Sequence, residues 1–177
     1  MHLRTLSTAA MVVILSGFFS FGQEAMLQPG KEHAKLKELE GKWTFVLTTP
    51  DGSESKGTSE YKVECGGFWL TSDFNTDFGG MKFQGKGLDS YDPIKKKYIS
   101  VWVDSLTTYP MTFEGDYDAS GKVLTMNCDG RGPTGKPAKW RSVSTFISAD
   151  EHKFEMYLTP EGGKEMQMMT VVYKRTK

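Results

Sequence analysis

From Gly41 onward the chain runs in segments of about five to ten residues, rich in β-branched and aromatic side chains and separated by Pro, Gly and Asp. This pattern predicts ten strands, at residues 43–49, 58–65, 68–77, 81–91, 98–106, 109–117, 123–128, 138–148, 153–159 and 165–175. The intervening pieces have the chemistry of reversals: Pro50-Asp51-Gly52, Cys65-Gly66-Gly67, Tyr91-Asp92-Pro93, Asp118-Ala119-Ser120-Gly121, Asp150-Glu151 and Glu161-Gly162-Gly163. No stretch among them keeps a helical period long enough for the crossover that a parallel pair needs, so the strands form an antiparallel meander. A twisted open sheet of that many strands leaves two edges exposed, and closure removes them. A two-sheet sandwich would need longer connections than these turns supply. The expected fold is all-β, an up-and-down barrel or clam of about ten strands.

Alternation within the strands assigns faces. Trp43, Phe45 and Leu47 share one, as do Phe68, Leu70 and Phe74 with Ser72 among them, then Met111, Phe113 and Tyr117, and finally Phe154, Met156 and Leu158. The segment Tyr98-Ile99-Ser100-Val101-Trp102-Val103-Asp104 is apolar on both faces apart from Ser100 and Asp104, which suits a strand that is covered twice or lines a cavity. One short helix is predicted at residues 32–40, with Leu36 and Leu39 on one face and Gly41 stopping it. A helix this short is marginal alone, so both leucines must dock.

The first twenty-two residues have the layout of a signal peptide: a basic start at His2 and Arg4, an apolar centre at residues 9–19, and Ser20 and Gly22 spaced as a cleavage site. The apolar run is well short of the ~20 residues that a membrane-spanning helix needs. The expected organisation is a signal peptide at 1–22, a linker at 23–30 and one domain at 31–177, exported to a periplasmic or extracellular location, with no integral membrane segment after processing. The whole chain carries 22 basic and 22 acidic residues. Removing residues 1–22 takes away only Arg4, and this near-neutrality gives no electrostatic basis for nucleic-acid binding. The two cysteines, Cys65 and Cys128, can form a disulfide in an oxidising compartment or pack as two small apolar groups.

Landmark residues carry a family likeness. Glu32-His33-x-x-Leu36-x-x-Leu39-x-Gly41-x-Trp43 is followed by Gly85-x-Gly87-Leu88-x-x-Tyr91-Asp92-Pro93 with Lys97-Tyr98 behind it, then by Gly115-x-Tyr117-Asp118 and Gly121-Lys122-x-Leu124-Thr125. In order and spacing these resemble the bacterial family called domain of unknown function 1579, over roughly residues 32–174. The resemblance implies a lipocalin-like or calycin-like barrel in proteins that are often exported. It implies no activity, substrate, cofactor or catalytic set. One departure is Gly87-Leu88-Asp89-Ser90-Tyr91, where family members often place a glycine close before the Tyr-Asp; it bears on the local turn alone.

Chemistry must then come from individual residues. No CxxC, HxH or HExxH spacing exists, so no metal is expected, and no motif implies a cofactor. There is no G-x-S-x-G elbow, and the glycine-rich stretch 129–135 lacks the Lys-Ser/Thr ending and following helix of a phosphate loop. That stretch predicts an irregular loop over a barrel mouth. His33, in the first turn of the helix, is a candidate mouth residue or haem ligand of the nitrobindin type, against a plain reading as a helix-surface histidine beside Glu32 and Lys35. His152 is expected in a solvated turn. Asp104 shares a face with Trp102 and Ser100 and is the carboxylate of most interest, against a strand-end Asp that meets solvent or pairs with a basic residue. Ten methionines offer a deformable lining or simple core filling.

Three readings follow. The leading one is a barrel binding a small, mostly apolar ligand, with Phe74, Trp102, Asp104, Tyr117 and Met156 as candidate contacts. The second is an enzyme on a small molecule using a cavity carboxylate. The third is an envelope protein-interaction module, marked by an unpaired edge or an apolar patch.

Overall fold

The computed structural model describes residues 28–177. The expected signal peptide, and the expected linker up to residue 27, lie outside the described residues.

One helix, α1 (Lys31–Lys37), precedes ten strands: β1 (Gly41–Thr48), β2 (Glu54–Glu64), β3 (Trp69–Phe78), β4 (Met81–Asp92), β5 (Lys97–Asp104), β6 (Met111–Tyr117), β7 (Val123–Arg131), β8 (Pro137–Ser148), β9 (Glu151–Pro160) and β10 (Met166–Arg175). Each strand pairs antiparallel with its neighbours in the chain, and β1 pairs with β10 to close the barrel. The closing register sets Trp43 opposite Arg175, Phe45 opposite Tyr173 and Leu47 opposite Val171. No strand is left with an open edge, the outcome expected of a ten-strand meander.

Alternation runs as the sequence predicts. Trp43, Phe45 and Leu47 of β1 are buried at 3% exposure or less, and Leu70 and Phe74 of β3 are buried too. Outward positions carry cross-strand ion pairs, among them Lys86 with Asp73, Lys95 with Glu114, Lys97 with Asp116 and Arg141 with Glu165. Apolar inside and charged outside is the reverse of what a lipid-embedded barrel requires. Among the described residues no helix is long and apolar enough to cross a membrane.

Several strands contain glycine because a neighbour needs the space. A Cβ on Gly57 would lie 2.2 Å from the Phe45 ring, and one on Gly115 would lie 1.9 Å from the Thr125 carbonyl oxygen. Gly57 hides the true start of β2, which begins at Glu54 rather than at residue 58, since a mid-strand glycine weakens the β pattern.

Helix α1 covers one end of the barrel. Leu36, 5% exposed, packs with Leu70, Tyr98, Phe113 and Leu124, with Leu39 beside them. The helix is shorter than predicted, ending at Lys37. Arg175 at the end of β10 fixes its exit: Nη2 donates to the Glu38 carbonyl (2.7 Å), Nη1 to that of Glu40 (2.6 Å) and Nε to that of Ala149 (3.0 Å). The guanidinium lies 4.2 Å from the centre of the Trp43 ring. Gly41, at φ 128°, leaves room for it, since a Cβ there would approach Nη1 to 2.9 Å. The far end carries the connections between β5 and β6 and between β7 and β8. It is called the loop end below.

Three sequence expectations change here. His152 is not in a solvated turn: β9 starts at Glu151, and His152 pairs with Tyr173 on one side and Phe146 on the other, 4% exposed. Cys65 and Cys128 are not bonded. Cys65 is exposed in the turn Cys65–Gly67 between β2 and β3, whereas Cys128 is buried in β7, on a distant part of the ring. The glycine-rich loop is shorter than expected because the β7–β8 ladder continues to Arg131 opposite Pro137, leaving a tight turn closed by Gly132 N–H to Lys136 O (2.8 Å).

Candidate functional site

The barrel is hollow, with an interior cavity of about 780 Å³. Such a volume lies within the range of small-molecule pockets, and far above the gaps of a filled core. All five candidate contacts, Phe74, Trp102, Asp104, Tyr117 and Met156, line it. His33 does not. Its Nδ1 accepts a hydrogen bond from the Gly30 N–H (3.1 Å), and its ring packs edge-on against Phe68 (5.3 Å) and Tyr91 (6.2 Å) on the covered end. Partial burial lowers its pKa, outweighing the opposing pull of Glu32. Of the methionines, Met111, Met126, Met156 and Met169 face the cavity. A register shift between Gln167 and Met169 turns the last strand there, and Met166 stays half exposed.

Trp102 owes its position to glycine. β4 presents Gly85, Gly87, Asp89 and Tyr91 inward, opposite Asp104, Trp102, Ser100 and Tyr98 of β5. A Cβ on Gly85 would come within 2.1 Å of the Trp102 indole, and one on Gly87 within 2.4 Å of Ser72 Oγ. The indole therefore lies flat across the backbone of β4, with Phe74 edge-on to it at 5.9 Å. Through the departure near Leu88 the chain runs straight on: residues 81–92 are one continuous strand.

Two carboxylates line the cavity, and they differ. Asp104 is fully engaged: Oδ2 accepts from Trp102 Nε1 (3.0 Å), and Oδ1 from the Leu106 and Thr107 N–H groups (2.8 and 2.9 Å). It anchors the indole and the loop between β5 and β6. Asp89, which was not singled out from the sequence, sits deeper, between Leu70 and Ser100 in register. Its surface faces the cavity rather than bulk water. Desolvation pushes its pKa up to about 6, opposed by a hydrogen bond from Ser100. The inward sequence Gly85-x-Gly87-x-Asp89-x-Tyr91 was the available signal.

Around Asp89 stand tyrosines. Burial raises the Tyr61 pKa, with the Asp89 charge adding to it, and burial likewise raises those of Tyr117 and Tyr173. The Tyr117 hydroxyl has no hydrogen-bond partner among the described residues, and nor does His152 Nδ1. His152 stacks on Tyr173 (4.3 Å) and on Phe146 (5.8 Å), with Trp43 edge-on (4.7 Å). Burial, reinforced by the nearby Arg175 charge, drives its pKa down to about 3, so the ring is neutral. At the loop end the lining includes Thr107, Thr108, Gly132 and Pro133, with Arg131 over the Tyr109 ring (5.6 Å). Among the described residues no three His, Cys, Asp or Glu side chains gather into a metal-binding group.

The model of a family described as protein of unknown function (DUF1579) matches residues 28–175. The chain belongs to that family. No curated protein matches it. Among solved structures, this DUF1579 protein is similar to Rv2717c from M. tuberculosis, at 16% identity and a TM-score of 0.64, with 85% of this chain and 100% of that one covered. It is also matched to a de novo designed fluorescence-activating β-barrel, at 16% identity and a TM-score of 0.46, with 80% and 96% covered. The likeness to Rv2717c concerns the fold alone.

Proposed function

We propose that this DUF1579 protein is an exported binder of a small, mostly apolar molecule held inside the barrel. The observation that carries the reading is the hollow interior: an up-and-down barrel can fill itself with side chains, and here about 780 Å³ stays open among them. The lining is largely aromatic and aliphatic, with a few polar groups that would fix orientation, the usual composition of a small-molecule site. α1 covers one end, so the ligand passes through the loop end. Closure of the sheet leaves no strand edge for a partner to extend, which favours this reading over an interaction module.

The test is mass spectrometry of protein purified natively from its source, joined to titration with the neutral dye Nile red. A co-purifying low-mass molecule, or an enhanced dye emission that weakens at least tenfold in Met156→Trp, is the expected result. Absence of both a bound molecule and dye binding in the unaltered protein would overturn it.

A further inference from the structure

We propose that the cavity selects ligands carrying a protonated amine, with the ammonium group seated against Asp89 among Tyr61, Tyr98 and Tyr117. This rests on the reading of the interior as a ligand site and names the class of molecule it takes. Four observations lead to it.

The first is that Asp89 is a carboxylate without a cation. Among the described residues none of the ion pairs includes it, and its one polar partner is the Ser100 hydroxyl. A carboxylate held away from bulk water normally has a partner, because the desolvated charge is otherwise uncompensated. Here a ligand can be that partner.

The second is that the other charged or titratable groups facing the deep part of this space are neutral or already occupied. His152, from β9, is uncharged, and the phenols of Tyr61 on β2, Tyr98 on β5, Tyr117 on β6 and Tyr173 on β10 stay protonated. Asp104, on β5, is taken up by Trp102 and two backbone N–H groups. Lys35 of α1 lies over the Tyr117 and Phe146 rings at 5.7 Å and gives its charge to Glu38 (2.7 Å). Arg131 is at the loop end, on Tyr109. Asp89 thus sets the sign of the deep interior, which repels an anionic head such as a fatty-acid carboxylate.

The third is the company Asp89 keeps. Tyr61 and Tyr117 are close enough to feel its charge. Tyr98 packs edge-on to Tyr117 with ring centres 5.0 Å apart. Aromatic faces around a carboxylate favour an ammonium by cation–π attraction.

The fourth is that two polar atoms in the same half of the cavity lack partners. The Tyr117 oxygen and Nδ1 of His152, a side chain 96% buried, are both unpaired, and the two residues are linked through Phe146 with ring centres 5.7 and 5.8 Å apart. The Tyr117 oxygen, near enough to Asp89 to feel its charge, can accept a hydrogen bond from an ammonium N–H seated there. The remainder of such a ligand would lie along Trp102, Phe74 and Met111 toward the loop end.

Calorimetry with three probes of one framework tests this: 4-phenylbutylamine, 4-phenylbutanol and 4-phenylbutyrate, at pH 7.5. The amine is expected to bind at least tenfold more tightly than the alcohol, and the carboxylate most weakly. Asp89→Asn should erase the amine's advantage while the alcohol still binds, and Asp104→Asn should leave the advantage in place. In the unaltered protein the advantage should shrink between pH 7.5 and 5, as Asp89 takes up its proton; this arm needs no variant to fold. Equal binding of amine and alcohol, or preference for the carboxylate, overturns the proposal and leaves the cavity reading standing. Binding of none of the three overturns the proposal, and overturns the cavity reading as well where the protein also carries no co-purifying molecule and binds no Nile red.

Discussion

Asp89 and His152 make opposite contributions to stability across one pH range, and each can be exposed by removing the other. Asp89 takes up its proton near pH 6 in the native barrel but near 3.8 when unfolded. The native state therefore gains on the unfolded one as pH falls through that window, by up to about 3 kcal/mol. His152 stays neutral to about pH 3 in the barrel but takes a proton near 6.5 when unfolded, so stability falls as pH drops, by on the order of 5 kcal/mol. Asp89→Asn should raise stability at pH 8 and make the protein more sensitive to acid. His152→Phe, which keeps the stack on Tyr173 and removes the unpaired nitrogen, should make it more resistant. Urea unfolding at pH 8, 6 and 4 measures both, and parallel pH profiles for the two variants would contradict this account. The sequence was readable here only in part. Alternation placed Trp102, Asp104 and Met156 on the inward face, yet Asp104 drew attention by standing in an apolar strand, while Asp89 follows two inward glycines, Gly85 and Gly87, that carry no side chain to mark the face. His152 follows Asp150-Glu151, a reversal signal strong enough to disguise the first inward position of a strand.

At the scale of elements, the union of α1 with the barrel is reinforced, beyond the packing of Leu36 and Leu39, by one side chain distant in sequence. Arg175 satisfies carbonyls just after the helix and in the β8–β9 connection, and it stacks on Trp43. Arg175→Ala leaves those oxygens without a donor and is expected to cost about 2–4 kcal/mol. Arg175→Lys should recover little, since a single ammonium cannot span three separated carbonyls while lying flat on an indole. Thermal unfolding gives the size of the loss, and hydrogen exchange should show α1 loosening first; an Arg175→Ala variant as stable as the parent would refute this role. All ten strands were legible, because period-2 alternation and turn chemistry agree along most of the chain. Their limits were not where glycine intrudes. Gly57 concealed the first residues of β2, and Gly130 concealed the extension of β7, because strand propensity scores a missing side chain as weakness; at Gly57 the fold uses it as clearance for Phe45.

For the whole molecule, closure could be argued from the meander, but hollowness could not. An inward Phe, Met or Leu looks the same whether it meets another side chain across the barrel or faces empty space. The decision lies in barrel width and in where the glycines fall, both of which are properties of the assembled ring. That ring also dictates a folding problem. Nine pairings join strands that follow one another in sequence, whereas the tenth must bring Thr44 to Lys174, 130 residues away. Local hairpins form on the microsecond scale, while the distant contact is gained only after a large loss of chain freedom. Until then the chain is a curled open sheet with β1 and β10 as sticky borders. A chain cut after Gly163, lacking β10, should therefore remain in that condition and collect in the insoluble fraction on expression; a soluble, monomeric product would contradict this. The cavity's last wall is thus also the last of the ten strands to be synthesised, and a nascent chain that has not yet extended through β10 has no closed interior.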